Sequence, residues 1–340
     1  MTRFLLLLVF VFFFVQAGLS QRKRSKSIEN FTIQPLGPGV WAAIQNDQFG
    51  KAICNAGIVD LGDRTLVFDP FMTPEAAREL QVVAEQLTGR PVSLVVNSHY
   101  HNDHIRGNQV FAAEANIIST AWTREQIAKS EPEEQEWEKR HAPALLKAAR
   151  KMYSTGNGIG RDELPLWIGY YQGITESLDE LKIALPNLVF NDSLWIMGSK
   201  LNVKLEEFKN GHTGSDIVLF IPAEQLAFAG DLLFVKRHPW MSDGDPANWQ
   251  LILKKLYDDP VTQTYLPGHG PVCQKQGVKD LQNYFAKMQD LASAANTDSL
   301  QSRLLMQPPP APYQGWYFSR FYEPNMKFLF TRSRNATAKQ

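Results

Sequence analysis

The chain has 340 residues, enough for one large domain or two small ones. Its 35 basic and 35 acidic residues cancel, which excludes a generally electrostatic nucleic-acid binder, and a hydrophobic share of 44% excludes wholesale disorder. Two cysteines, Cys54 and Cys273, exclude a disulfide framework or a thiolate zinc ribbon.

At the N-terminus, Arg3 precedes an unbroken apolar run from Phe4 to Val15, followed by Ala17, Gly18 and Ser20. That layout predicts a signal peptide over residues 1–20 and an exported protein, periplasmic or extracellular. The run is short for a membrane span, which needs about 20 residues. The basic cluster Arg22, Lys23, Arg24 and Lys26 would tie the chain to a membrane only if the segment stays uncleaved.

Residues 21–38, polar and then Pro/Gly-rich, read as a lead-in to a domain over 39–297. Short strands are expected at 40–44, 52–59 and 65–68, then a helix over 74–88. Thr73 is its N-cap, Pro74 its first residue and Gly89 its stop. Val92–Val96, apolar almost throughout, is a buried strand. Residues 121–153 and 174–184 read as helices of an insertion over 121–184, and the acidic run from Glu131 to Glu138 as its solvated face. Strands return at 188–190, 194–197, 201–208, 216–221 and 226–229, with a helix at 246–257 and a strand at 263–266. An amphipathic helix over 276–295 closes the core, and 298–340 forms a Pro/aromatic-rich tail expected to pack back onto it.

The chemistry concentrates where the strand at 92–96 ends. Asn97-Ser98-His99-Tyr100-His101-Asn102-Asp103-His104 places three imidazoles and a carboxylate within six residues. His99 and His101 are two apart, so extended backbone points both the same way. Such a cluster is hard to hold together without a cation, and neutral imidazole with carboxylate suits zinc, then iron or manganese. Further single ligands follow three later apolar strands, each beside a glycine: His212 in Gly211-His212-Thr213, Asp231 in Gly230-Asp231, and His269 in Pro267-Gly268-His269-Gly270. His141 falls in the charged helix and reads as solvent-facing.

These four motifs, in this order from about Val40 to Val272, resemble the metallo-β-lactamase fold superfamily. The resemblance implies an α+β fold, a four-layer αββα sandwich with metals at one edge of its two sheets, here carrying the helical insertion. It implies one metal on His99, His101 and His212 and a second on Asp103, His104 and His269, with Asp231 bridging them. Two Zn2+ per chain are expected, with Fe or Mn as alternatives at the second position. Metal coordination lowers the pKa of water to about 7, giving a nucleophile at neutral pH, which Asp103 is placed to orient. Two divalent ions, two aspartates and a hydroxide leave about +1, favouring anionic small molecules as substrates. Asp69 is either a group supporting a metal ligand or a turn former before Pro70.

The chain departs from lactamases that carry a cysteine at the second metal, because Asp231 stands in that place. Their carboxylate-holding lysine is replaced by Phe234, leaving Lys236 as the nearest lysine. Lys236, His238 and Trp240 are therefore candidate pocket residues, as is Trp249, although His238 also reads as an ordinary loop residue and the tryptophans as core. A Cys54–Cys273 disulfide is left open. The function expected is metal-dependent hydrolysis of a C(=O)–N, C(=O)–O or C(=O)–S bond, with a β-lactam first. A lactone or thioester comes second, and an exported metal-binding protein without catalysis third.

Overall fold

The computed structural model describes residues 28–156 and 160–337; the expected signal peptide lies outside them. Among the described residues no helix is long and apolar enough to cross a membrane. Strands β1 (Phe31–Gly37), β2 (Val40–Gln45), β3 (Ala56–Asp60) and β4 (Thr65–Phe68) form an antiparallel meander. Helix α1 (Pro74–Thr88) crosses to β5 (Val92–Val96), which pairs parallel with β4. Short helices α2 (Asn102–Ile105) and α3 (Asn108–Phe111) lead to β6 (Asn116–Thr120). The insertion, α4 (Ala121–Thr155) and α5 (Leu164–Ser177), then leads to β7 (Leu188–Phe190). This first sheet runs β1 to β7 in sequence order.

The second sheet is ordered β13-β12-β11-β10-β9-β8. It comprises β8 (Ser193–Ile196), β9 (Val203–Lys209), β10 (Ser215–Ile221), β11 (Leu226–Phe234), β12 (Thr264–His269) and β13 (Cys273–Gln274). Helix α6 (Pro246–Asp258) makes the crossover that sets β12 parallel to β11. Helices α7 (Lys275–Ala294), α8 (Asp298–Leu305) and α9 (Tyr322–Thr337) follow.

Three apolar cores separate four layers. Between the sheets, Val59, Phe68 and Val96 face Leu205, Leu219 and Phe228. Gly57 allows this approach, since a Cβ there would stand 2.1 Å from the Phe228 ring. Outside the first sheet, Ala76, Ala77, Leu80 and Ala84 of α1 cover Ile58, Val67 and Val95. Outside the second, Trp249, Leu281, Phe285 and Met288 of α6 and α7 do the same. The fold is the expected αββα sandwich.

Local chemistry explains α1. The Thr73 hydroxyl accepts from Ala76 N at 3.2 Å, a cap worth about 1 kcal/mol, and Gly89 closes the helix at φ 74°. Elsewhere the elements differ from the sequence expectation for identifiable reasons. The segment read as lead-in contains β1, whose mostly half-exposed face offers no apolar run. The strand expected from residue 52 starts only at Ala56, because Ile53 turns the chain at φ 71°. Helix α5 covers 164–177 rather than 174–184; Leu164–Gly169 is buried on all sides, which hides its 3.6-residue period. Of the C-terminal segment, which was expected to pack back, Tyr313, Phe318, Tyr322 and Met326 complete the core around Trp249 and Phe285.

Candidate metal centre

The strand ends of both sheets meet at one edge. From the end of β5 come His99 and His101, and from α2 come Asp103 and His104. The β9–β10 turn brings His212, β11 brings Asp231 and the end of β12 brings His269. Donor atoms of His99, His101, His212 and Asp231 lie within 4.8 Å of one another, as do those of Asp103, His104 and His269. In the first group His101 Nδ1 and His212 Nε2 are 3.0 Å apart. Asp231 touches both groups: Oδ1 is 3.2 Å from His104 Nε2, and Oδ2 is 3.4 Å from His212 Nε2 and 3.3 Å from His269 Nε2. Gly268 makes room for it, since a Cβ there would stand 1.9 Å from Asp231 Oδ1.

The donor chemistry fits a divalent cation. His99 Nε2, His104 Nε2 and Asp231 Oδ1 are buried and make no hydrogen bond in the protein. Stranding them would be unfavourable by about 1–3 kcal/mol each. The opposite ring nitrogens are engaged: His99 Nδ1 with Ser98 Oγ at 2.9 Å, His104 Nδ1 with Asp69 Oδ2 at 2.8 Å, and His101 Nε2 with Asp243 Oδ2 at 3.0 Å. Such outer partners fix each imidazole with its free lone pair turned inward. Asp69 also accepts from Ser98 N at 2.7 Å while sitting at φ 59°, so it shapes the turn as well as holding His104.

Protein charges alone divide the cluster. Burial pushes His99 well below the usual histidine range and takes His212 down to about 3. Burial opposes charge on His269 as well, but Asp231 and Asp103 outweigh it and raise that imidazole to about 9. Against the same burial effect, neighbouring imidazoles hold Asp231 well below the carboxylate range and Asp103 at about 2. His99 and His212 are thus held neutral, ready to act as donors, while His269 would release its proton to a binding cation.

The donors open onto a cleft of about 400 Å³. Trp137, Trp167 and Tyr170 of the insertion line one side, and Phe318, Arg320 and Phe321 of the C-terminal segment another. Trp240 lines it too and donates to Asp243 Oδ2 at 2.9 Å. A larger hollow of about 580 Å³, beside Trp195 and Lys255, shares no residue with the donors, so volume alone does not mark the site.

Several expectations need correction. Lys236 is exposed at φ 54° and does not line the cleft. His238 is buried away from it, 2.9 Å from the Tyr284 hydroxyl, with burial taking its pKa down to about 4. Trp249 is core: its indole donates to the Leu232 carbonyl while its ring packs on His212. The two cysteines are free. Cys54, its thiol pushed by burial up to about 12, donates to the Asp103 carbonyl, and Cys273 lies in β13 against Gly277.

The acidic run of α4 is not uniformly solvated either. Glu131 and Glu138 are buried and grip Arg106, at 3.0 Å and 2.8 Å. Asn102 donates to Glu134 and Glu138 at 2.7 Å and 3.2 Å. His141 does face solvent, stacked on Trp137. Sequence reasoning missed Asp243 and Arg320, a loop acid and a tail base with no motif around them. The one available signal was the aromatic density between Tyr313 and Phe330.

Residues 50–313 match the sequence model of the metallo-beta-lactamase superfamily. Among solved structures, a metallo-beta-lactamase from Pontibacter korlensis is 14% identical, with a TM-score of 0.52 over 75% of this chain and 99% of its own. A metallo-beta-lactamase from Hirschia baltica is also 14% identical, with a TM-score of 0.53 over 76% of this chain and 98% of its own. Because that family match spans most of the chain, the protein belongs to the metallo-beta-lactamase superfamily.

Proposed function

We propose that this protein is a zinc-dependent hydrolase with two ions per chain, acting on a C(=O)–N, C(=O)–O or C(=O)–S bond of a small anionic molecule. The observation that carries this reading is the sharing of one buried carboxylate, Asp231, between two donor groups. Bound zinc would supply Lewis acidity and an acidified water. His99, His101 and His212 would hold one ion, and Asp103, His104 and His269 the other.

The chain's own residues supply the rest. Asp103 lines the cleft, and its carboxylate, depressed to about 2, stays an ionised acceptor at neutral pH, able to orient a water. The aromatic walls exclude water and receive an apolar substrate body. Arg320 is the guanidinium on the lining, lying 3.5 Å over the Trp167 ring and donating to Tyr171 Oη at 2.8 Å. A cation fixed in this way suits a substrate carboxylate. β-Lactams are the leading substrate, since they join such a carboxylate to a scissile amide and the similar structures carry that name. A lactone or thioester is the second reading, favoured by an aspartate rather than a cysteine at 231.

Elemental analysis of the purified protein is expected to find close to two metal ions per chain. Chelation should abolish hydrolysis and added zinc restore it, across a panel of β-lactams, lactones and thioesters. A folded, metal-free protein active on the panel would overturn the proposal. Arg320→Gln is expected to raise KM for a carboxylate substrate about tenfold with kcat little changed, because it removes binding common to ground and transition states. A neutral ester of the same substrate should be unaffected, and equal losses on both would dismiss the anchoring role.

A further inference from the structure

Gln45 and Asp47 lie where β2 ends, outside every ligand motif, yet they reach a candidate ligand. His269 Nδ1 faces two acceptors, Gln45 Oε1 and the Ile53 carbonyl, each at 3.2 Å. Gln45 Nε2 donates to Asp47 Oδ1 at 2.7 Å, and Asp47 Oδ2 accepts from Arg237 at 2.6 Å. Arg237 is buried with its guanidinium 4.6 Å from the centre of the Tyr317 ring and 5.7 Å from that of Phe318.

This chain of contacts has a direction. A carboxylate can only accept, so Gln45 must turn its amide N–H to Asp47 and its carbonyl to His269. An imidazole with its proton on Nδ1 keeps its lone pair on Nε2. That nitrogen stands 3.3 Å from both Asp103 Oδ2 and Asp231 Oδ2. The arrangement exceeds what packing needs, because Asn55 already ties the end of β2 to the same loop. It accepts from Gln45 N at 3.1 Å and donates to the carbonyls of Pro267 and Gly270 at 2.9 Å and 2.7 Å.

We infer that Gln45 and Asp47 are positioning residues that, beside the Ile53 carbonyl, hold the Nδ1–H tautomer and the aim of His269 for a divalent cation, with Arg237 and the C-terminal aromatic rings holding Asp47. The inference rests on the metal-dependent reading above. Its mechanism is the polarity of the Asp47–Gln45–His269 relay rather than its shape.

Cobalt(II) titration of the full chain, followed by visible absorption and competition with a chelator, tests it. Asp47→Asn frees the Gln45 amide to turn over and present N–H to N–H. It is expected to weaken one of the two cobalt equivalents about tenfold while leaving the other unchanged, alongside a lower melting temperature because Arg237 loses its carboxylate. Gln45→Leu keeps the Asp47–Arg237 pair and should weaken the same equivalent with the melting temperature little changed. Combining Asp47→Asn with Gln45→Glu keeps the total charge and restores an obligatory acceptor at Nδ1, and should return the lost affinity. Wild-type cobalt binding by Asp47→Asn, or failure of the combined variant to recover it, would overturn the inference. A wild-type protein that binds no cobalt would instead overturn the metal-dependent reading itself.

Discussion

Asp231→Ala is expected to reduce bound metal to one ion or fewer per chain and to lower turnover about 10³-fold. The loss corresponds to several kcal/mol of Lewis-acid stabilisation, each 1.36 kcal/mol being a factor of ten. Its reach follows from geometry: Oδ1 of this one carboxylate lies 3.2 Å from His104, and Oδ2 lies 3.4 Å from His212 and 3.3 Å from His269, so the two donor groups share it. His99, His101 and His212 fall in one candidate group and His104 and His269 in the other, and the Asp231 carboxylate lies within 3.4 Å of imidazoles of both. The smaller side chain should be accommodated, since β11 is a buried strand and alanine adds no bulk beside Gly268. Circular dichroism and a thermal melt should therefore show a folded protein. Metal analysis and turnover should then fall together. A variant that keeps two ions and wild-type turnover would remove the shared carboxylate from the mechanism.

The donor set was legible because most of the donors stand at or just past the end of an apolar stretch, Asp231 alone lying within the longer strand β11, and strand ends converge in a layered sandwich. A histidine after such a strand, beside a glycine, needs no knowledge of its partners to be noticed. The αββα layers followed from the family resemblance that the same motifs carry. Residues that act across the fold were not legible. Gln45 meets His269 across 224 positions of sequence, with Asp47 behind it, through an amide and a carboxylate ordinary in any loop. Asp243 reaches His101 from a loop whose path depends on Trp240 and on Asn325, which accepts from Met241 N. Arg320 belongs to a tail whose burial was expected but whose place against Trp167 was not. Lys236 was a candidate by nearness in sequence, and one positive φ sends it away from the cleft.

Charge runs failed for a related reason. On a helix as long as α4, acidic residues three, four and seven apart share a face, and sequence cannot say which face meets protein. Glu131 and Glu138 are seven apart and meet Arg106, which lies two residues beyond the candidate ligand His104. Beside them Asn102, between His101 and Asp103, bonds Glu134 and Glu138. The insertion is thus bolted to α2 through buried charge, and a run that looked like solvent-facing decoration holds the segment that carries Asp103 and His104.

Arg106→Leu is expected to destabilise the protein by about 3–5 kcal/mol, because it strands two carboxylates that, like Arg106 itself, are 2% exposed at the side chain. The melting temperature should fall by about 10 °C. The pH dependence has a definite sign. Burial already raises the Glu138 pKa and Arg106 pulls it back, so removing the guanidinium raises the folded-state value further. A carboxyl whose folded pKa exceeds its unfolded one destabilises the fold as pH rises through that interval. The deficit relative to wild type should therefore be largest at neutral and alkaline pH and shrink on acidification, as thermal melts across pH will show. Replacing the whole cluster, with Arg106→Met, Glu131→Leu and Glu138→Leu together, should recover much of the stability, since no charge is left unpaired. Metal affinity should recover less, because Asn102 loses Glu138 as an acceptor and α2 is held by apolar contact rather than by directed bonds. An Arg106→Leu protein within about 1 kcal/mol of wild type at neutral pH would show that water reaches the cluster and that α2 does not depend on it.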